Sequence, residues 1–133
     1  MKVDTSDLLR FVGFLDTLTE SVHSNQERAV MAAGMAYQAD VQRCSSTPVD
    51  TGQYRSSMRT DQIGNPLTGP IAAVGSPMPQ TRRLEFGFWD KTDSRGRRYH
   101  QAPRPHWRPT WDLNLAKYHL ILAEELLKGV KMK

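Results

Sequence analysis

The chain has 133 residues, 38% of them hydrophobic and 24% charged, and a formal net charge of +4 at pH 7. That length fits a single domain, 1–133, with a core that folds without staples. The one cysteine, Cys44, excludes an internal disulfide and a cysteine-built metal cluster. No run approaches the roughly 18–20 apolar residues of a membrane span, and Asp4 and Asp7 interrupt the stretch where a signal peptide would need apolar residues. The expectation is a soluble protein, made in a cytoplasm, with no membrane contact.

The basicity is local. Residues 1–81 carry six Lys/Arg against eight Asp/Glu, residues 82–108 carry eight against three, and residues 109–133 carry four against three. A net +5 confined to one segment suits contact with a polyanion or an acidic partner.

Residues 7–22 place Leu8, Phe11, Val12, Leu15, Leu18 and Val22 at three- and four-residue steps, the apolar stripe of a helix, with Asp4 or Ser6 to cap it. Ser24 and Asn25 weaken the pattern and predict a kink near 23–25. A second helical run follows over about 26–45, rich in alanine, with Val30, Ala33, Tyr37, Val41 and Cys44 on one stripe, and Pro48 stops it. Segments 57–63, 70–76 and 83–88 read as strands of an antiparallel sheet, with turn material over Gly64–Pro66 and Thr68–Pro70. Residues 89–106 read as a long basic loop, unusual in a compact domain unless it contacts something. From Pro109 the pattern is helical again, with Trp111, Leu115, Tyr118, Leu122 and Leu126 on one face and Gly129 closing it. The predicted class is α+β: a helical extension over 1–25, a core over 26–128 and a tail over 129–133.

Three clusters bear on chemistry. Asp50-Thr51-Gly52 is the triplet of aspartic proteases, but Ser45–Pro48 before it is no apolar strand, and a protease needs two such carboxylates sharing a proton. Asp50 with Gln53 fits a capping box better. Glu85, within Arg83–Phe88, lacks a nucleophile or second acid at a fixed spacing and reads as an exposed residue on a half-buried strand, or as a partner for a nearby Arg. In Ala102–Asp112, Pro103, Pro105 and Pro109 stiffen the approach to the last helix, and Trp107 and Trp111 fall four residues apart as on one helical face. His100 and His106 lack metal-ligand spacing. No catalytic residue, metal or cofactor is expected.

Taken in order, these pieces resemble a known family. Pro48-Val49-Asp50-Thr51-Gly52 with Arg55 and Ser57, then Val74-Gly75-Ser76, then Leu84-Glu85-Phe86-Gly87, then Ala102-Pro103-Arg104-Pro105 with Arg108, Pro109 and Asp112 look like the neck or tail-completion family of long-tailed bacteriophages, which includes the lambda-type minor tail protein Z. The resemblance covers about residues 26–127. The chain departs from the family at Met78-Pro79-Gln80, where an aromatic-Ala pair is usual, and at His106-Trp107, where Phe-Leu is usual.

The resemblance implies a structural virion protein near the head–tail junction, made in the host cytoplasm and assembled into a ring of about six copies by a head-to-tail interface. Its partners would be head-completion or connector proteins and tail-terminator or tail-tube proteins. The motif positions Asp50, Thr51, Gly52, Glu85, Phe86, Gly87, Pro105, Arg108 and Pro109 would define the fold. The alanine-rich face with Ala29, Ala33 and Tyr37, and the segment bearing Trp107 and Trp111, are the expected subunit contacts. Lys91, Arg95, Arg97, Arg98 and Arg104 are the expected contacts to channel DNA or an acidic partner. The rival expectation is a free-standing nucleic-acid-binding protein working through 89–108.

Overall fold

The computed structural model describes residues 4–48 and 52–128, with the side chains of Asp90 and Lys91 excepted. Asp50 of the expected capping box, the motif position Thr51, and the tail from Gly129 lie outside the described residues. The chain is α+β, with a long N-terminal helix, two small antiparallel sheets and a C-terminal helix.

Helix α1 runs unbroken over Thr5–Arg43. Asp4 caps it, Oδ1 accepting from the Ser6 amide (3.1 Å) and hydroxyl (2.8 Å). The helix is not broken at 23–25, because both polar residues there have a use inside it. The Ser24 hydroxyl donates back to Ser21 O, and Asn25 is buried with its amide nitrogen donating to Leu126 O (3.1 Å) and Lys128 O (2.8 Å). Those carbonyls belong to the end of the last helix, which has no intrahelical donors left for them. Asn25 therefore caps another helix rather than breaking its own.

A short helix α2, Gln53–Ser56, follows Gly52. Strands β1, Arg59–Gln62, and β2, Ala72–Gly75, pair antiparallel with Arg59 opposite Gly75 and Gln62 opposite Ala72. This hairpin lies against α1 at Gly34, where an added Cβ would meet Thr60 Cγ2 at 2.8 Å and Ala72 Cβ at 3.1 Å, so glycine permits the close approach. Gln38 Nε2 donates to Met58 O and Gln42 Nε2 to Arg55 O, each at 3.0 Å, tying the incoming segment to α1.

The expected third strand is a helix, α3, Gln80–Phe86. Leu84, Phe86 and Phe88 look like strand alternation, but Glu85 between them is 7% exposed while Phe86 is 71% exposed, the reverse of a strand's inward apolar face. Pro79 suits the first turn, and Thr81 Oγ1 donates to Met78 O. The expected basic loop is largely a second hairpin, β3 Phe88–Thr92 with β4 Arg98–Gln101, with a bulge between Phe88 and Lys91. Asp93 closes its turn, Oδ1 accepting from the Arg95 and Arg97 amides and Oδ2 from Arg97 Nε and Tyr99 OH. An Asp followed by Gly96 is turn chemistry, and it organises Lys91, Arg95, Arg97 and Arg98 as a ribbon. Arg104 lies beyond it, on the extended approach to α4.

Helix α4, Trp107–Leu126, packs antiparallel on α1. Pro109 sits in its first turn, as expected. A small core joins Val41, Tyr54 and Met58, with Tyr37, Met78, Leu84 and Trp107 against it. Because Asn25 meets the end of α4, the first turns of α1 run roughly 25 Å beyond it at 1.5 Å per residue.

Asn25→Ala removes both bonds to the α4 carbonyls and is expected to destabilise the protein by about 1–2 kcal/mol. Urea unfolding with an unchanged slope and a lower midpoint is the predicted result.

Candidate functional site

Helix α4 begins at His106, whose own side chain makes no cap bond. The cap comes from α3. Glu85 Oε2 accepts from the His106 amide (2.8 Å) and the Trp107 amide (3.1 Å), and Oε1 accepts from the Arg108 amide (3.0 Å). The carboxylate thus satisfies three of the four amides a helix start leaves open, at the end where its dipole favours negative charge. Burial acts to raise the Glu85 pKa, but the three backbone donors and the nearby His106 outweigh it and hold the carboxyl below its ordinary value. A buried charge bonded in this way is tolerable, and one left bare would not be.

Around this carboxylate the polar groups of the knot are used in sequence. His106 is fully buried; its Nδ1 lies 2.7 Å from Arg104 O and its Nε2 2.7 Å from Tyr54 OH. Nδ1 faces a carbonyl and is the donor of that pair, while Nε2 and the Tyr54 hydroxyl share the second bond. Tyr54 OH in turn accepts from the Trp107 indole N–H at 2.9 Å. Tyr37 OH donates to Trp107 O at 2.7 Å, and burial first, then Glu85 and Asp112, push its pKa up to about 12. Ser57 and Ser76 share a hydroxyl bond of 2.5 Å. Gly87 closes the base: its φ is +70°, and a Cβ there would lie 2.6 Å from Gln101 O and 2.8 Å from Pro103 N. Arg104 N then donates to Leu84 O.

Four of the sequence segments singled out therefore meet at one point: Tyr54–Ser57, Ser76, Leu84–Gly87 and Pro103–Arg108. A tyrosine, a histidine and a glutamate side by side invite a catalytic reading, and the burial argues against it. Tyr54 is 6% exposed and His106 is not exposed at all, so no reactant reaches either. Both Glu85 oxygens are engaged by amides. Residues 44–48, ahead of the Asp50 triplet, form a turn after α1 and not the strand a protease loop needs. Among the described residues no group of three His, Cys, Asp or Glu side chains is placed to hold a metal ion.

The expected subunit contacts are distributed unevenly. Ala29 is fully buried within the protomer, and Tyr37 sits with its ring edge-on to Trp107, Trp111 and Tyr118. Trp107 is tied to Tyr54, so its first role is internal. Ala33 and Trp111, the latter 39% exposed, face an open trough beside α1. Of the motif positions at the surface, Phe86, Pro105 and Pro109 are exposed, and exposed Arg108 pairs with Asp112 at 3.3 Å. Arg95, Arg97, Arg98 and Arg104 are exposed, and Arg97 pairs with Asp93 at 2.8 Å. Sequence reasoning missed Asn25, Tyr54, His106 and Asp40, which accepts from Lys117 (2.8 Å) and Tyr118 (2.7 Å). No local spacing announces these partners, which lie 52 to 103 residues apart.

The chain matches no protein-family model, no curated protein and no solved structure.

Glu85→Gln would put amide hydrogens among three N–H donors and is expected to destabilise the fold by about 2–3 kcal/mol at neutral pH. Because the folded-state pKa of Glu85 is lowered, its contribution is complete above about pH 4.3, the ordinary glutamate value. It is lost as pH falls through the lowered value. Acid titration of stability should therefore be steeper for the natural protein than for Glu85→Gln over that window.

Proposed function

We propose that this chain is a structural subunit of the head–tail junction of a long-tailed phage, a neck or tail-completion protein that acts by self-assembly into a ring and not by chemistry. The observation that carries this reading is the convergence at Glu85. Ser57, Ser76, Leu84–Gly87 and Pro103–Arg108, from the segments on which the family resemblance rests, are far apart in sequence, yet hydrogen bonds tie them into one knot whose Tyr54 and His106 side chains are buried. Residues of that kind define a fold, which is the part such motifs play in the resemblance. The ring would join head-completion or connector proteins to tail-terminator or tail-tube proteins, in the virion, after assembly in the host cytoplasm. The β3–β4 ribbon would face channel DNA or an acidic partner through Arg95 and Arg98, with Arg104 beside it.

A second reading is favoured by one observation. Trp89 is 72% exposed and stacks on His100 with rings 5.5 Å apart and 3° from parallel, on the same ribbon as the arginines. An exposed aromatic among cations is the equipment of a free-standing nucleic-acid-binding protein.

Light scattering and electron microscopy of the purified chain separate the two. The ring reading expects a mass several times 15.1 kDa and annular particles, and a strict monomer contradicts it. If the ribbon meets DNA, affinity should fall steeply with salt, by about 0.9 log units per log unit of salt for each phosphate contacted. Arg95→Ala with Arg98→Ala should reduce that slope. Arg97 is the poorer choice for substitution because it holds the Asp93 turn.

A further inference from the structure

The two sides of the β3–β4 ribbon are differently furnished. Side chains alternate along β4, which sends Tyr99 to one side and Arg98 and His100 to the other. The Tyr99 side is engaged within the ribbon. Asp93 Oδ2 accepts from Arg97 Nε at 2.8 Å and from Tyr99 OH at 3.1 Å, and the Arg97 guanidinium lies 5.8 Å from the centre of the Tyr99 ring. The Asp93 carboxylate is therefore committed to that side.

The opposite side is open. Between Phe88 and Lys91 the register shifts, so that two β3 residues, Trp89 and Asp90, stand against His100 alone. A bulge of this kind re-aims a side chain out of the regular pleat. Here the Trp89 indole lies on the His100 imidazole, rings 5.5 Å apart and 3° from parallel, and Trp89 is still 72% exposed. Arg98, two residues from His100 on the same side and roughly 7 Å along the strand, is exposed and pairs with no described carboxylate.

We propose that this side of the ribbon binds single-stranded nucleic acid, with a base stacked on the outer face of Trp89 and a neighbouring phosphate on Arg98. The inference rests on the reading of the ribbon as a nucleic-acid contact and narrows it to one ligand; it is independent of ring formation. An aromatic plane backed by a second ring and open on its far face offers a base the neighbour it lacks outside a duplex. In a duplex the base faces are already covered, and a ribbon in the groove meets only base edges and phosphates. Arginines alone would serve that contact. An acidic protein surface would likewise satisfy Arg98 and leave the indole face in water. Because every base has such a face, binding carries little sequence preference.

The test uses the full chain with a single-stranded oligothymidylate, and a duplex of equal length for comparison. The single strand should bind more tightly than the duplex at low salt and quench tryptophan fluorescence. Trp89→Ala, at an exposed position where circular dichroism should be unchanged, should weaken single-strand affinity by roughly 5- to 150-fold, the loss of one stacked base. Its salt dependence should stay that of the natural chain. Trp89→Phe keeps an aromatic plane and should recover most of the affinity. Arg98→Ala should instead reduce the salt slope by about 0.7, the share of one single-strand phosphate. In the natural chain, a bromodeoxyuridine-bearing strand irradiated in the complex should cross-link to Trp89. Cross-linking elsewhere, or equal affinity in Trp89→Ala, overturns the stacking and leaves a phosphate contact standing. Tighter binding of the duplex overturns it in favour of a groove contact. Binding of neither overturns the nucleic-acid reading as well.

Discussion

The start of α4 depends on a carboxylate that α4 does not contain. Three successive amides, of His106, Trp107 and Arg108, point at Glu85 from 21 to 23 residues away, and the helix dipole adds to their pull. The far end of α4 has the complementary need, unsatisfied carbonyls, and Asn25 of α1 meets it. Between the two, Asp40 holds Tyr118 and Lys117; burial raises the Asp40 pKa, but these partners and Arg43 outweigh it and keep it low. α4 is thus secured along its length by polar groups from other elements. With few fully buried apolar side chains among the described residues, such directional bonds supply uniqueness that a small core cannot.

The knot engages the residues that look most reactive. Tyr54, His106 and Glu85 use their hydrogen-bonding capacity on one another and on the backbone. What the knot leaves exposed is two differently equipped surfaces: the basic β3–β4 ribbon with Trp89 at its side, and the open trough beside α1. The projecting start of α1 is a third.

Much of the fold was legible. The Asp4 cap, the helical stripes, the first hairpin and the start of α4 near Pro109 all follow from local spacing. The misreadings have a common origin, since each is a place where a distant partner decides. Asn25 looks like a helix breaker until the α4 carbonyls are beside it. Leu84, Phe86 and Phe88 alternate as in a strand, yet α3 forms because Glu85, not its apolar neighbours, must point inward to α4. The Asp93–Gly96 turn was visible in sequence but was submerged in a run of basic residues. At the site, Glu85, Gly87 and Trp107 stood out by type, whereas the Tyr54–His106 bond had no sequence signature.

The amide hydrogens of His106, Trp107 and Arg108 report on the central interaction directly. Followed by hydrogen exchange in the natural protein and in Glu85→Ala, they should be among the most protected in the natural chain. In the variant they should lose protection well beyond the amides in the middle of α4. Equal protection of these three amides in both proteins would contradict the account, because α4 would then hold its start without the carboxylate.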